Sequence, residues 1–376
     1  MKITNISIEN YKIFSNFQLN FNKDSAPLPL IVIAGINGSG KTTLLEFIHN
    51  FFQEKIFNNF NSINISASNI FGSQPSFDSD IRLTNEFLLE NKNKFKYKFS
   101  DKIIYYKAGV IENTTAKQVI TEYIDRIIYE NDVPSSVAYK TLQEKLNSFL
   151  ENFDLQVQFN QLDRKKEIYF KNNVSDKILI DDLSGGEKEL ITKLLPLYLS
   201  EINESVILVD EPESSLHPNW QFEIAGLYQK IAEEKNCQII LTTHSPHIVA
   251  SLPKHQIKVL VKEDNQIKLI ENFSKSYGKR IDEVLLEIFR INGLRTPTIE
   301  KKLTRCKELL FANQYESNEF LKLLAELEEV IGEDDNDLVL IRLEKIRREK
   351  EKIERETKQN LESENNKGTT FKFKRA

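Results

Sequence analysis

The chain is 376 residues long, carries a formal net charge of −5, and is 40% hydrophobic and 28% charged. That composition is ordinary for a soluble globular protein, and its acidic balance argues against wholesale polyanion binding while leaving room for a local basic patch. Length beyond the usual single-domain size predicts one large core plus an appendage. The two cysteines, Cys237 and Cys306, have neither metal-ligand spacing nor a disulfide framework, as in a reducing compartment. No apolar run approaches a membrane span, and Met1-Lys2-Ile3 opens a strand instead of a signal peptide. The expectation is a cytoplasmic protein with no membrane partner.

In chain order, Ile6 and Ile8, then Phe17, Leu19 and Phe21, alternate with polar neighbours, the pattern of antiparallel strands with one solvated face. "LPLIVIAG" follows, a continuous apolar run of the kind buried on both faces. It leads into "GINGSGKTTLLEFIHNFF", which fits G-x-x-x-x-G-K-[ST] from Gly35 to Thr42. Glycines at Gly35, Gly38 and Gly40 let backbone N–H groups close around phosphate oxygens, with Asn37, Ser39 and Thr43 in the same loop and first turn. Lys41 supplies a point charge for the β and γ phosphates, and the Thr42 hydroxyl a ligand for Mg²⁺. Leu44, Leu45, Phe47 and Ile48 give the following helix its apolar face, with its N-terminus toward the phosphates.

Asn58 to Asp80, rich in Asn and Ser, reads as a long loop. In "NKNKFKYKFS", Lys92, Lys94, Lys96 and Lys98 alternate with Phe95, Tyr97 and Phe99. Period two places lysines on one face and rings on the other, as either a nucleic-acid-facing ribbon or a solvated face over an apolar one. Ile120, Ile124, Ile127 and Ile128, then Leu142, Leu146, Phe149, Leu150 and Phe153, recur at helical spacing and predict core-facing helices within 110–153. "LQVQFN" and "KEIYFKN" predict a hairpin that leads to "DDLSGGEKEL", a serine and two glycines at a helix start. "ESVILVDEPESSLHP" is a buried strand ending in acids. Asp210 suits the Mg²⁺ shell and Glu211 suits polarising a water, while Glu213 is either a further metal or orienting contact or a solvated loop acid. "CQIILTTHSPH" repeats the pattern, with His244 at the strand tip where it can meet a terminal phosphate.

These pieces, in this order, resemble the ABC-type ATPase superfamily over residues 1–272, and "ISIENYKIF" with "DEPESSLHP" resembles its SMC-like and overcoming-lysogenization-defect-like branch. The resemblance implies an α/β fold: an ABC-type head with an antiparallel β lobe, a parallel P-loop core and a helical subdomain, followed by a C-terminal helical region. It implies ATP and Mg²⁺ as ligands, with Thr42 and Asp210 on the metal and Glu211 and His244 catalytic. It also implies that Ser184, Gly185, Gly186 and Glu187 cap the nucleotide of a second copy, so that the active form is a homodimer or a higher even-numbered oligomer. Lys12 is implied to approach the nucleotide, and Gln74 is the candidate for the family's Mg²⁺-sensing glutamine.

The interval between Thr42 and Ser184 holds no sustained heptads, which excludes a long SMC-type coiled coil. After "VKEDNQIKLIEN" a helical domain is expected over 273–350. Its stripes are Ile281, Val284, Leu285, Ile288 and Phe289; Ile299, Leu303, Cys306 and Leu310; and Phe320, Leu324, Leu327 and Ile331. "GEDDNDL" reads as a turn and helix cap. Residues 351–376 read as a charged tail fading into disorder. No nuclease motif is present in the sequence. The helical tail resembles that of the PtuA ATPases of Septu-type and retron-associated antiphage systems, which implies control of a separate HNH nuclease. The alternative is a DNA repair ATPase of RecF or SMC type that binds DNA directly.

Overall fold

The N-terminal alternation produces β1 (Lys2–Tyr11) and β2 (Phe14–Asn20), paired antiparallel with Ile6 opposite Leu19 and Ile8 opposite Phe17. All four side chains are buried, so the period-two pattern marks one core-facing side. The apolar run then forms β3 (Leu30–Ala34), buried at every position, and the glycine loop delivers it into α1 (Lys41–Phe52). In this computed structural model the described residues are 1–53, 63–68, 81–83, 102–107, 115–151, 153, 155–163 and 165–370. Within them, β4 (Ile63–Ser68) and β5 (Ile81–Leu83) extend the first sheet in the order β2-β1-β4-β5.

The larger sheet starts its outer edge with β6 (Ile103–Tyr106). The helical stretch expected between the glycine loop and the signature is α2 (Ala116–Tyr129) and α3 (Ser135–Glu151). Thr115 caps α2 in a reciprocal pair with Gln118, and Ile120, Ile124, Leu142, Leu146, Phe149 and Leu150 are buried. A small antiparallel sheet, β7 (Gln158–Leu162), β8 (Ile168–Lys171) and β9 (Ile178–Leu179), brings the chain to α4 (Gly185–Leu199).

The second half adds β10 (Val206–Val209), α5 (Pro218–Glu234), β11 (Gln238–Thr243), α6 (Pro246–Ala250), β12 (Ile257–Glu263) and β13 (Gln266–Ile270). The six-stranded order is β13-β12-β3-β11-β10-β6, parallel throughout except for the edge strand β13. Crossover helices cover such a sheet, which is why β3, β10 and β11 are buried at every position. Registers pair Ala34 with Thr243 and Leu241 with Val209. The residues just past three neighbouring strands, Gly35, His244 and Asp210, therefore share one carboxyl edge, where open α/β sheets bind ligands. Buried Gln238 ties the lobes together. Its Oε1 accepts from the Ile3 N–H at 2.7 Å, and its Nε2 donates to the Ile3 and Leu28 carbonyls at 2.9 and 3.2 Å.

Two compact units result, Met1–Arg290 and Ile291–Ala376. The first extends past the 272 boundary read from the hairpin because Val284, Ile288 and Phe289, in a helical segment from Ile281, are buried within it. The second packs α7 (Pro297–Phe311), α8 (Asn318–Ile331) and the start of α9 (Asn336–Thr370) around Leu303, Cys306, Phe320, Leu327, Leu338 and Ile341. Helix α9 runs to Thr370, with i,i+3 and i,i+4 pairs such as Arg347 with Glu344 and Glu351 along its first half. No helix among the described residues is long and apolar enough to cross a membrane.

Candidate functional site

The glycine loop is shaped by positions that exclude side chains. Gly40 caps α1 with φ +86°, and a Cβ there would meet Ile13 at 3.0 Å. Gly38 also takes a positive φ, +80°. Lys41, only 4% exposed, donates from Nζ to the carbonyls of Gly35 (2.9 Å) and Ile36 (3.2 Å), with Glu211 Oε1 at 3.7 Å. Burial pushes the Lys41 ammonium below its ordinary value, against the pull of Glu211, Glu213 and Asp210. Ser39 is buried, and its Oγ has no hydrogen-bond partner. Asn37 is exposed and Thr43 half-buried on the first turn of the helix.

Across the sheet edge, Thr42 donates to Asp210 Oδ1 at 3.1 Å. The same oxygen accepts from Thr242 at 2.5 Å, and Oδ2 accepts from the Tyr105 hydroxyl at 3.4 Å. Burial, reinforced by Asp210, raises the Tyr105 phenol. The Glu211 N–H donates to Thr242 Oγ1 (3.1 Å), and Glu211 itself sits at φ +44°. A left-handed conformation costs a non-glycine residue about 1–2 kcal/mol; here it aims the carboxylate back over the loop. His244, 44% exposed, puts Nδ1 at 3.3 Å from Glu211 Oε1 and 3.5 Å from Glu213 Oε1. The structure thus brings Lys41, Thr42, Asp210, Glu211 and His244 together. A glycine loop able to turn its N–H groups inward, a free buried hydroxyl, a lysine and a hydroxyl–carboxylate pair are the groups that a nucleoside triphosphate and Mg²⁺ require.

The signature residues form a separate cluster. Ser184 caps α4 in a capping box: its N–H and Oγ donate to Glu187 Oε2 at 3.0 and 2.6 Å, and the Glu187 N–H donates back to Oγ at 3.4 Å. Among the described residues, no hydrogen bond or ion pair joins Ser184, Gly185, Gly186 or Glu187 to residues 35–43 or 210–211. The two glycines differ. A Cβ on Gly185 meets nothing within 4 Å, whereas one on Gly186 falls 2.8 Å from the Trp220 ring. Gly186, Ser215, His217 and Trp220 line a cavity of about 840 Å³. Lys193 of α4, buried, donates to the Ser214 carbonyl and, at 2.9 Å, to Ser214 Oγ, which fixes the signature helix to the loop after β10.

Several partners had no sequence signal. Tyr105, Thr242 and Lys193 reach the site through strand order and helix packing, and no local motif announces them. Glu213 corrects the solvated alternative: its side chain is 2% exposed and its carboxyl is raised by burial, against the hydrogen bond from Thr243. Lys12 faces Glu46 at 3.8 Å and lies over the Tyr11 ring. Gln74 and the lysine–aromatic stretch at 91–100 lie outside the described residues. "GEDDNDL" forms the turn after α8 and the first residues of α9, where Asp335 Oδ1 accepts from the Asp337 N–H (3.0 Å), and among the described residues no group of three or more His, Cys, Asp or Glu side chains is placed to hold a metal ion.

Residues 114–250 match the family described as "AAA domain, putative AbiEii toxin, Type IV TA system". The chain is similar to "Retron Ec83 probable ATPase" of Escherichia coli, 30% identical over 281 residues, covering 71% of this chain and 47% of the relative. It is similar to "Retron Vc95 probable ATPase" of Vibrio cholerae serotype O1 biovar El Tor, 30% identical over 191 residues, covering 47% and 34%. A shorter match, 30% over 111 residues and 28% of each chain, is to "Septu protein PtuA" of Bacillus thuringiensis. The chain spans about half the length of the first relative and about a third of the second.

Proposed function

We propose that this chain, an ABC-type ATPase related to the PtuA and retron ATPases, hydrolyses ATP as a homodimer, or a higher even-numbered oligomer, whose heads meet head to tail. Thr42 and Asp210 would hold Mg²⁺, which would supply neutralisation of phosphate charge. The loop N–H groups and Lys41 grip the phosphates. Glu211 takes the proton of the attacking water, and His244 contacts the terminal phosphate. Ser184, Gly185, Gly186 and Glu187 of a second copy close the pocket with the positive end of α4.

One observation carries this reading: a lysine, a hydroxyl–carboxylate pair, a strained glutamate and a histidine converge at the carboxyl edge of three adjacent parallel strands. The separate setting of the signature supports the composite site, since no bond links it to its own chain's glycine loop. We assign the cycle to cytoplasmic antiphage defence, in which the ATPase controls a separately encoded HNH nuclease. The similarity to the retron and Septu proteins supports that role.

Complementation tests the shared site. Ser184→Arg and Lys41→Ala chains are each expected to be inactive alone, and a mixture is expected to regain partial turnover, because one of its two composite sites is intact. A mixture as dead as its components would count against sharing. Copurification with a coexpressed HNH protein tests the partner, and an ATPase that never retains one would remove the defence assignment.

A further inference from the structure

The loop after β10 carries a second acid that the scheme above leaves idle. Glu213 is almost wholly buried, yet it sits in a loop one turn from solvent. Its Oε1 accepts from Thr243 Oγ1 at 2.6 Å and from the His244 N–H at 3.0 Å, and lies 3.5 Å from the imidazole Nδ1. Its Oε2 is buried with no hydrogen-bond partner. A buried carboxyl with an orphan oxygen is unfavourable unless its geometry serves something. The contacts it does make fall on Thr243, the last residue of β11, and on His244, which follows it. Glu211 Oε1 lies 3.3 Å from the same Nδ1. The loop between the two acids is itself closed, with the Ser214 N–H donating to the Glu211 carbonyl (3.2 Å) and the Leu216 N–H to the Glu213 carbonyl (3.0 Å).

We propose that Glu213 is a positioning residue: by holding the backbone and ring of His244, it sets the imidazole against Glu211 and so aligns the γ-phosphate contact with the general base. This rests on the ATPase reading above. The role needs one acceptor oxygen, because both hydrogen bonds end on Oε1.

Four variants test it: Glu213→Ala, Glu213→Gln, Thr243→Val and His244→Ala. Imidazole ¹⁵N NMR of the nucleotide-free protein, with the His244 signal assigned by its loss in His244→Ala, reads ring placement directly. Glu213→Ala is expected to shift or broaden that signal and to lower kcat about 10- to 100-fold, with KM within about threefold of wild type. Glu213→Gln keeps the acceptor and is expected to restore both readouts to within about fivefold of wild type. The double variant Glu213→Ala with His244→Ala should be no slower than His244→Ala alone, since the two act as one unit. If Glu213→Ala does not fold, Thr243→Val removes the hydroxyl that holds Oε1 and should reproduce the NMR change and the kcat loss. Unmoved His244 signals, additive losses in the double variant, or a Gln variant as slow as Ala would each overturn the proposal. A wild-type protein that hydrolyses no ATP would overturn the function instead and leave the NMR test of Glu213 intact.

Discussion

The carboxyl edge of the parallel sheet and the helical unit from Ile291 onward handle charge in opposite ways. At the sheet edge, Lys41 is buried against carbonyls, Glu211 stands in a left-handed conformation, and Ser39 Oγ and Glu213 Oε2 have no partner. In the helical unit several acids are matched: Asp335 to Arg295 at 2.8 Å, Asp337 to Arg295 at 2.9 Å and to Lys307 at 2.7 Å, and Glu319 to Arg305 at 2.7 Å. Its left-handed residues are Asn313 and Gly332, types that tolerate that conformation. Left-handed residues and unsatisfied buried polar atoms also occur elsewhere in the first unit, at Asn16, Asp132 and Thr4 Oγ1 among others; at the sheet edge they coincide with a buried lysine and converging acids, which fits a place where something binds. The other region reads as scaffold.

Substitution at the strained edge should therefore change chemistry more than stability. Glu211→Gln is expected to lower turnover about 10²- to 10⁴-fold while keeping ATP affinity. A nucleotide-dependent dimer should accumulate with it, seen by sedimentation with ATP. Undiminished turnover would remove Glu211 as the base. Lys41→Ala comes next, with ATP affinity about 10- to 100-fold weaker through loss of charge-assisted hydrogen bonds. Calorimetric titration reads this directly, and retained affinity would show that the glycine loop alone grips the phosphates.

How much of this edge is legible in the sequence follows from the range of each contact. The glycine loop, the acidic strand end and the histidine after "IILTT" are each local patterns, and parallel registration brings them side by side. Thr242 is unremarkable in sequence, yet it bonds both Asp210 and Glu211 because β11 lies between β3 and β10. Tyr105 reaches Asp210 for the same reason, from β6 on the far side of β10. Glu213 looks like any loop acid until the turn closed by the Leu216 N–H folds it inward. In α9 the charged composition hides a spacing that supplies repeated ion pairs over 344–351 along one helix.

The signature lies between the two regimes, and its two glycines separate ligand approach from packing. Gly186→Ala places a methyl 2.8 Å from Trp220, an overpacking expected to cost about 1–3 kcal/mol. The melting temperature should fall, and the fluorescence of Trp220, the chain's single tryptophan, should shift with the ring. Gly185→Ala meets open space and should melt at or above the wild-type temperature, since alanine favours the helix by up to about 1 kcal/mol. A loss of turnover in Gly185→Ala at full stability would then report backbone approach by the second copy's nucleotide. Equal destabilisation by both variants would break the distinction.

The smallest effect belongs to the helical unit. Asp337 is held below the ordinary carboxylate value first by the hydrogen bond from Lys307 and then by Arg295, against partial burial. A carboxylate whose folded-state value is depressed contributes stability above its unfolded value and loses it as pH falls through the folded one. Asp337→Asn should therefore melt below wild type at neutral pH, by about 1 kcal/mol or less for so accessible a pair. The gap should close as pH drops below about 4, where the unfolded chain takes up its proton first. Added salt should narrow it as well. ATP affinity should not move, because the acid's partners are the cations of its own helical unit. A change in affinity would mean that this unit serves the nucleotide site as more than scaffold, and the contrast between satisfied and strained charge would no longer separate the two roles.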